Sequence, residues 1–254
     1  VRCFKTYCDG DLGSRGACLL RPYKDDPGNY GIIRTPADSL RAWAPKILAA
    51  KMQMATHCIG DSATRMMLRI YSEVLQGPND ARWRIEHAQV VDTNDFVKFK
   101  QFNVWPSVMP LHAMSDRLWA EDRVGKERMK GAYAYNTLFS QNQKIAFGSD
   151  FPVEDINPIL GYHAAVARMD LQDNPYGGYY KQEAVGRDTA IRAMTIWAAQ
   201  SNFEEDVKGS LEVGKFADLV VFNQDLETMA EKQIPYVRIK YTMINGKIVF
   251  SGTN

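Results

Sequence analysis

Cysteine is scarce and confined to one end of the chain. Cys3, Cys8, Cys18 and Cys58 are the whole complement of 254 residues. They form no Cys-x-x-Cys pair and no zinc-finger spacing, which excludes a disulfide scaffold and a Cys-based structural zinc module. A reducing compartment, the cytoplasm, is therefore expected, with a preceding leader left open because the chain starts on Val1 and not Met. No apolar run approaches the ~18 residues of a membrane helix. Charge of one sign is not in excess either: 31 basic residues face 30 acidic ones, for a net charge of +1. That balance provides no long-range field to gather nucleic acid or anionic lipid. Gly10, Gly13 and Gly16 match neither the P-loop nor the dinucleotide fingerprint and read as a tight loop. Ser149-Asp150 lacks the Gly-x-Ser-x-Gly elbow of a serine hydrolase. Internal repeats and low-complexity segments are missing as well.

What is present is an alternation. Short apolar runs at Arg2–Cys8, Gln53–Cys58, Arg82–Ala88, Asn103–Met109 and Lys144–Ser149 predict strands, most closing on a polar residue. Helical periodicity lies between them at Pro36–Lys51, Asp61–Leu75, Thr93–Gln101 and Glu127–Asn142. Pro36 followed by Asp38 starts a helix, and Gly77-Pro78 stops one. Strand and helix in turn predict a parallel sheet, open or closed. Pro158–Arg168 and Glu183–Gln200 continue the helical pattern, after which the texture changes. Asp218–Phe222, Tyr236–Lys240, Thr242–Ile244 and Lys247–Phe250 read as strands, with Asn245-Gly246 as a hairpin turn between the last two.

The chain has four histidines. His57 and His87 close two candidate strands, and Asp150 closes a third. Side chains at the C-terminal ends of parallel strands converge on one face, where active sites are built. Two neutral imidazoles and a carboxylate on that rim make a divalent-metal set; each imidazole taken singly reads equally as a hydrogen-bonded core residue. His112 follows Pro110-Leu111 in a loop and suits a substrate contact or a loop hydrogen bond. His163 lies inside a helical run and reads as structural.

These residues together resemble the amidohydrolase superfamily, in particular the amidohydrolase-3 group of YtcJ-like proteins and N-substituted formamide deformylases. The resemblance runs in order through Phe4-Lys5-Thr-Tyr-Cys-Asp9-Gly10, His57-Cys-Ile-Gly60-Asp61 and Arg84-Ile-Glu86-His87. It continues through Pro110-Leu-His112, Gly148-Ser-Asp150-Phe-Pro152 and Gly209-Ser-Leu-Glu-Val-Gly214. It implies a (β/α)8 TIM-type barrel carrying a small β-sandwich domain, with a metal site at the barrel mouth. It assigns Lys5, His57, His87 and Asp150 to one or two divalent ions, zinc by expectation, and Asp150 also to general-base catalysis. An ordinary lysine, with a pKa of about 10.4, has no lone pair to give at neutral pH. The resemblance therefore also implies a CO2-derived carbamate on Lys5. Asp9, Asp61 and His112 match positions near the mouth and are assigned to loop ordering or substrate contact.

The His-x-His pair that opens the family's pattern on its first barrel strand does not occur here. The five predicted strands correspond to the fourth to eighth of the barrel, which gives residues 1–205 as the C-terminal part of the barrel and 206–254 as half of the sandwich. The expectation is accordingly a piece of a longer chain that needs its N-terminal half. The implied activity is hydrolysis of a non-peptide C–N bond in a small amide or N-acyl amine, with a homodimer, no nucleic acid and no membrane. A deaminase or cyclic-amide hydrolase, and an inactive binding scaffold, are the alternatives.

Overall fold

The computed structural model describes residues 2–77 and 79–252. Pro78, read above as a helix stop, lies outside them. Five strands, β1 (Cys3–Tyr7), β2 (Gln53–Cys58), β3 (Arg84–His87), β4 (Trp105–Val108) and β5 (Ala146–Phe147), form one sheet in sequence order. All neighbouring pairs are parallel. β2 is buried along its entire length, as a central parallel strand covered on both faces must be. β1 and β5 are the sheet's edges, and β1 leaves Phe4, Lys5 and Tyr7 exposed. The sheet is thus open, as five strands of an eight-stranded cylinder would be.

Helices α1 (Ala37–Ala49) and α2 (Asp61–Val74) cover one face of β1 and β2. The ring of Trp43 stacks on Phe4, and the Tyr71 hydroxyl meets Thr56 Oγ1 at 2.9 Å. α2 buries Ala63, Met67, Ile70 and Tyr71, an i, i+4, i+7, i+8 stripe, and the Tyr71 ring meets the fully buried Trp83 edge-on at 5.0 Å. Each such large apolar side chain contributes roughly 1.5–3 kcal/mol by leaving water. Because residues alternate across a strand, Lys5, Tyr7, Ala55 and His57 fall on the opposite face from Phe4 and Thr56. The register sets Lys5 beside Ala55 and Tyr7 beside His57.

Between β3 and β5 the chain is more broken than the periodicity predicts. α3 is Phe96–Gln101, followed by α4 (His112–Ser115), α5 (Ala120–Val124) and α6 (Tyr135–Asn142). The predicted helix over Glu127–Asn142 breaks because Tyr133 adopts φ 51° and its N–H donates to Gln89 O. That contact, with the Val90–Ala132 bridge, ties the segment to the exit of β3. α7 is Pro158–Ala167, with the Asn157 side chain capping its N-terminus. The last predicted helix splits into α8 (Arg187–Met194) and α9 (Ile196–Gln200) at Thr195, whose ψ of −95° is not helical.

β6 (Leu219–Phe222), β7 (Ile239–Ile244) and β8 (Lys247–Ser251) form a three-stranded antiparallel sheet. The two strands read at Tyr236–Lys240 and Thr242–Ile244 are one, and Tyr236 instead ends a 3-10 turn over Glu231–Tyr236. Asn245 and Gly246 both have positive φ, the conformation a type I′ hairpin requires. The sandwich expected around this sheet has one layer among the described residues.

Gly60, between β2 and α2, is held by close approach. A Cβ built there would lie 1.9 Å from Cys18 O, a backbone atom that cannot swing away. Gly60→Ala is therefore expected to destabilise the protein by about 3 kcal/mol, read as a lower urea midpoint with an unchanged slope. A midpoint equal to the parent's would contradict the packing described here.

Candidate metal centre

The strand ends bring four polar side chains together. His57 lies on β2, His87 ends β3, His112 opens α4 just beyond β4, and Asp150 follows β5. The rings of His57 and His87 are 4.6 Å apart at 69°, and those of His87 and His112 5.7 Å apart at 88°. His112 Nε2 is 3.5 Å from Asp150 Oδ2. Ligand-type atoms of His87, His112 and Asp150 all lie within 4.8 Å of one another, close enough to share one cation. Lys5 approaches from β1, its Nζ 5.2 Å from the centre of the Tyr7 ring, and Tyr7 in turn lies 5.2 Å from His57.

Two of these residues hold unusual backbone. His87 has φ 72° and Asp150 has φ 59°, both in the left-handed region that non-glycine residues seldom occupy. Such strain concentrates at functional sites, where the surrounding fold overrides local preference.

Burial lowers the pKa of His57, and the nearby Lys5 ammonium adds to the effect. His87 is pushed down to about 2, first by burial and then by His57, His112 and Lys5. A neutral imidazole keeps a lone pair, which is the form that binds metal. His57 Nε2, His87 Nδ1 and His112 Nε2 are buried and have no hydrogen-bond partner among the described residues. Leaving one buried polar atom unpaired costs about 1–3 kcal/mol; three in adjoining rings mark a place that a further group completes. Nitrogen and carboxylate donors in this mixture suit a borderline divalent cation.

Asp9 and Asp61 are buried and engage backbone N–H groups. Asp9 is fully buried, and its carboxylate accepts N–H groups from Cys18 at 2.8 Å, Ile59 at 3.0 Å and Gly60 at 2.8 Å. Its Oδ1 also lies 3.7 Å from His57 Nε2. Burial pushes the Asp9 carboxyl up to about 7, although those three N–H groups favour its charged form. Asp61 is buried in the first turn of α2 and accepts the Leu20 N–H at 2.8 Å. Both carboxylates order the loop after β1 through these backbone N–H groups. His163 is buried in α7, where its pKa is lowered by burial.

Two features escaped the sequence reading. His112, read as a mouth residue for substrate or loop contact, joins the imidazole cluster itself, and Glu154 Oε1 lies 3.9 Å from its Nδ1. Glu154 follows Asp150 by four residues in the same loop, the one sequence signal that could have suggested it. Beneath the cluster, Arg84 Nε and Glu86 Oε1 pair at 2.9 Å, with Glu86 beside His57 in the ladder.

A parallel sheet with imidazoles and a carboxylate gathered at its strand ends has the architecture of metal-dependent hydrolases. A crystal structure of an uncharacterized metal-dependent hydrolase from Pyrococcus horikoshii superposes with a TM-score of 0.80 at 29% identity, covering 91% of this chain and 46% of that one. The amidohydrolase family profile matches residues 1–250, and the chain belongs to that family. It is 33% identical over 247 residues to the putative amidohydrolase YtcJ of Bacillus subtilis, covering 97% of this chain and 46% of that protein. It is 24% identical over 207 residues to the N-substituted formamide deformylase of Arthrobacter pascens, covering 80% of this chain and 37% of that protein. The chain thus spans less than half the length of these two curated relatives. No helix among its described residues is long and apolar enough to cross a membrane.

Proposed function

We propose that this chain supplies the fourth to eighth strands, and part of the small β domain, of a (β/α)8 metal-dependent hydrolase acting on a C–N bond of a small amide or N-acyl amine. The observation that carries the reading is the meeting of His57, His87, His112 and Asp150 at the C-terminal ends of four strands, with three buried imidazole nitrogens left unpaired. Similarity to a protein named for deformylating N-substituted formamides supports the amide class. The open edges of β1 and β5 support completion of the cylinder by further strands.

Lys5, His57, His87 and Asp150 would hold the cation, zinc by preference for this donor set, with Lys5 offering carbamate oxygens once carboxylated. When bound, a divalent cation lowers the pKa of water and polarises a carbonyl oxygen. Asp150 receives the water's proton on a carboxylate oxygen and hands it to the departing nitrogen, so that one water is consumed and an acid and an amine leave. Its side chain is about a third exposed, which lets it reach solvent and substrate alike. His57 and His87, kept neutral by burial, do not compete for that proton.

The test is a panel of N-formyl amines, N-acyl amines, cyclic amides and aminopurines offered to the purified, zinc-supplemented full-length protein. Acid and amine release from the acyclic amides is expected. Turnover confined to the cyclic amides or to deamination would replace the reading, and no turnover with any substrate would leave a binding scaffold.

A further inference from the structure

The partner of His112 on its far side has a role that neither the family pattern nor the cluster itself assigns. His112 is placed between two carboxylates, Asp150 at 3.5 Å from Nε2 and Glu154 at 3.9 Å from Nδ1. A neutral imidazole carries one N–H, and the nitrogen opposite it offers a lone pair. Which nitrogen holds the proton therefore decides whether His112 donates to Asp150 or presents an acceptor beside it.

The two sides differ in solvent. The Asp150 side chain is 36% exposed, whereas that of Glu154 is 13% exposed. Water screens the first carboxylate far more than the second, so the less exposed one acts more strongly on the ring. The Asp116 carboxyl, near enough to act on both His112 and Glu154, adds negative potential and is fixed by Tyr133 Oη at 2.8 Å and Gln89 Nε2 at 3.0 Å. On the other side, Nε2 is buried and makes no hydrogen bond despite its closeness to Asp150. An Nε2 lone pair beside the Asp150 carboxylate sets two acceptors side by side, the donor set that a cation takes.

We infer that Glu154 is a positioning residue that keeps the His112 proton on Nδ1 and so makes His112 Nε2 a further ligand for the cation, beside His87 and Asp150. The inference rests on the metal centre proposed above and adds to it a ligand and the residue that orients it. Losing Glu154 would let the proton move to Nε2, where it would bridge to Asp150 and close the site. Carboxylates behind metal-binding histidines are worth about tenfold to a hundredfold in affinity.

The test uses the purified protein with 15N-histidine labelling, His112 being assigned from a His112→Gln variant. Two measurements are made: the His112 tautomer without metal, and the zinc dissociation constant by competition with a chromophoric chelator. The parent is expected to carry its proton on Nδ1. Glu154→Leu should move the proton to Nε2 and weaken zinc about tenfold to a hundredfold. Glu154→Gln, which keeps an acceptor oxygen on the Nδ1 side of the ring, should keep the parent's tautomer and most of its affinity. A parent proton on Nε2, or a Glu154→Leu protein that binds zinc as tightly as the parent, would overturn the inference. If the leucine variant does not fold, the parent's tautomer and the glutamine variant decide. Neither readout needs a substrate, so a protein that passes both and hydrolyses no amide defeats the hydrolase reading and leaves this one standing.

Discussion

Asp150→Asn is expected to lower kcat by about 10²- to 10⁴-fold, the usual worth of a positioned general base. The substitution suits the site because asparagine, like aspartate, tolerates the left-handed backbone that Asp150 adopts at φ 59°. Its amide keeps one oxygen toward the cluster but cannot take a proton at neutral pH. Thermal stability should stay within about 2–4 °C of the parent, since a partly exposed side chain contributes about 1 kcal/mol or less. Alanine would confuse the result, because it loses the carboxylate and strains the backbone together. Steady-state kinetics on the best amide from the panel, with a melting curve alongside, provides the check. Equal kcat in the parent and the asparagine variant would remove Asp150 from the chemistry.

His57→Ala and His87→Ala should act through the metal and not through turnover alone. Each removes an imidazole that burial keeps neutral, with one ring nitrogen free to bind, near pH 7. Zinc content after dialysis should fall below one ion per site in both variants, and hydrolysis should fall with it. Chelation of the parent protein should abolish hydrolysis, and added zinc should restore it. His163→Ala is the matched control, a buried histidine of α7 outside the cluster, and should leave zinc content unchanged. Full zinc occupancy in His57→Ala or His87→Ala would show that the ion is bound elsewhere.

The parallel sheet was legible because each strand is a short apolar run ended by a polar residue, and such runs survive any loop conformation. His57, His87 and Asp150 were legible for the same reason: they stand at strand ends, where the fold leaves side chains pointing to one rim. The loops between β3 and β5 were not. His112–Ser115 and Ala120–Val124 are helices of four and five residues, too short for a periodicity to show. The break near Tyr133 is imposed by a hydrogen bond to Gln89, forty-odd positions away, which no local pattern encodes. Asp9 and Asp61 were read as either loop-ordering or substrate-contacting because an aspartate beside a glycine-rich loop looks the same whether it faces a substrate or the loop's own N–H groups. Their burial and their backbone N–H partners are what the structure adds. Glu154 lay hidden because its role depends on the ring it faces, and the two meet only through the return of the loop after β5.

Anomalous diffraction from zinc-loaded crystals of the protein measures the meeting of these side chains around one ion most directly. The expected result is a zinc peak bonded at about 2.0–2.2 Å to the His87 imidazole and the Asp150 carboxylate, with His57 and Lys5 lining the same site. A zinc ion bound away from His87 and Asp150, or no peak at those strand ends at full zinc loading, would contradict it.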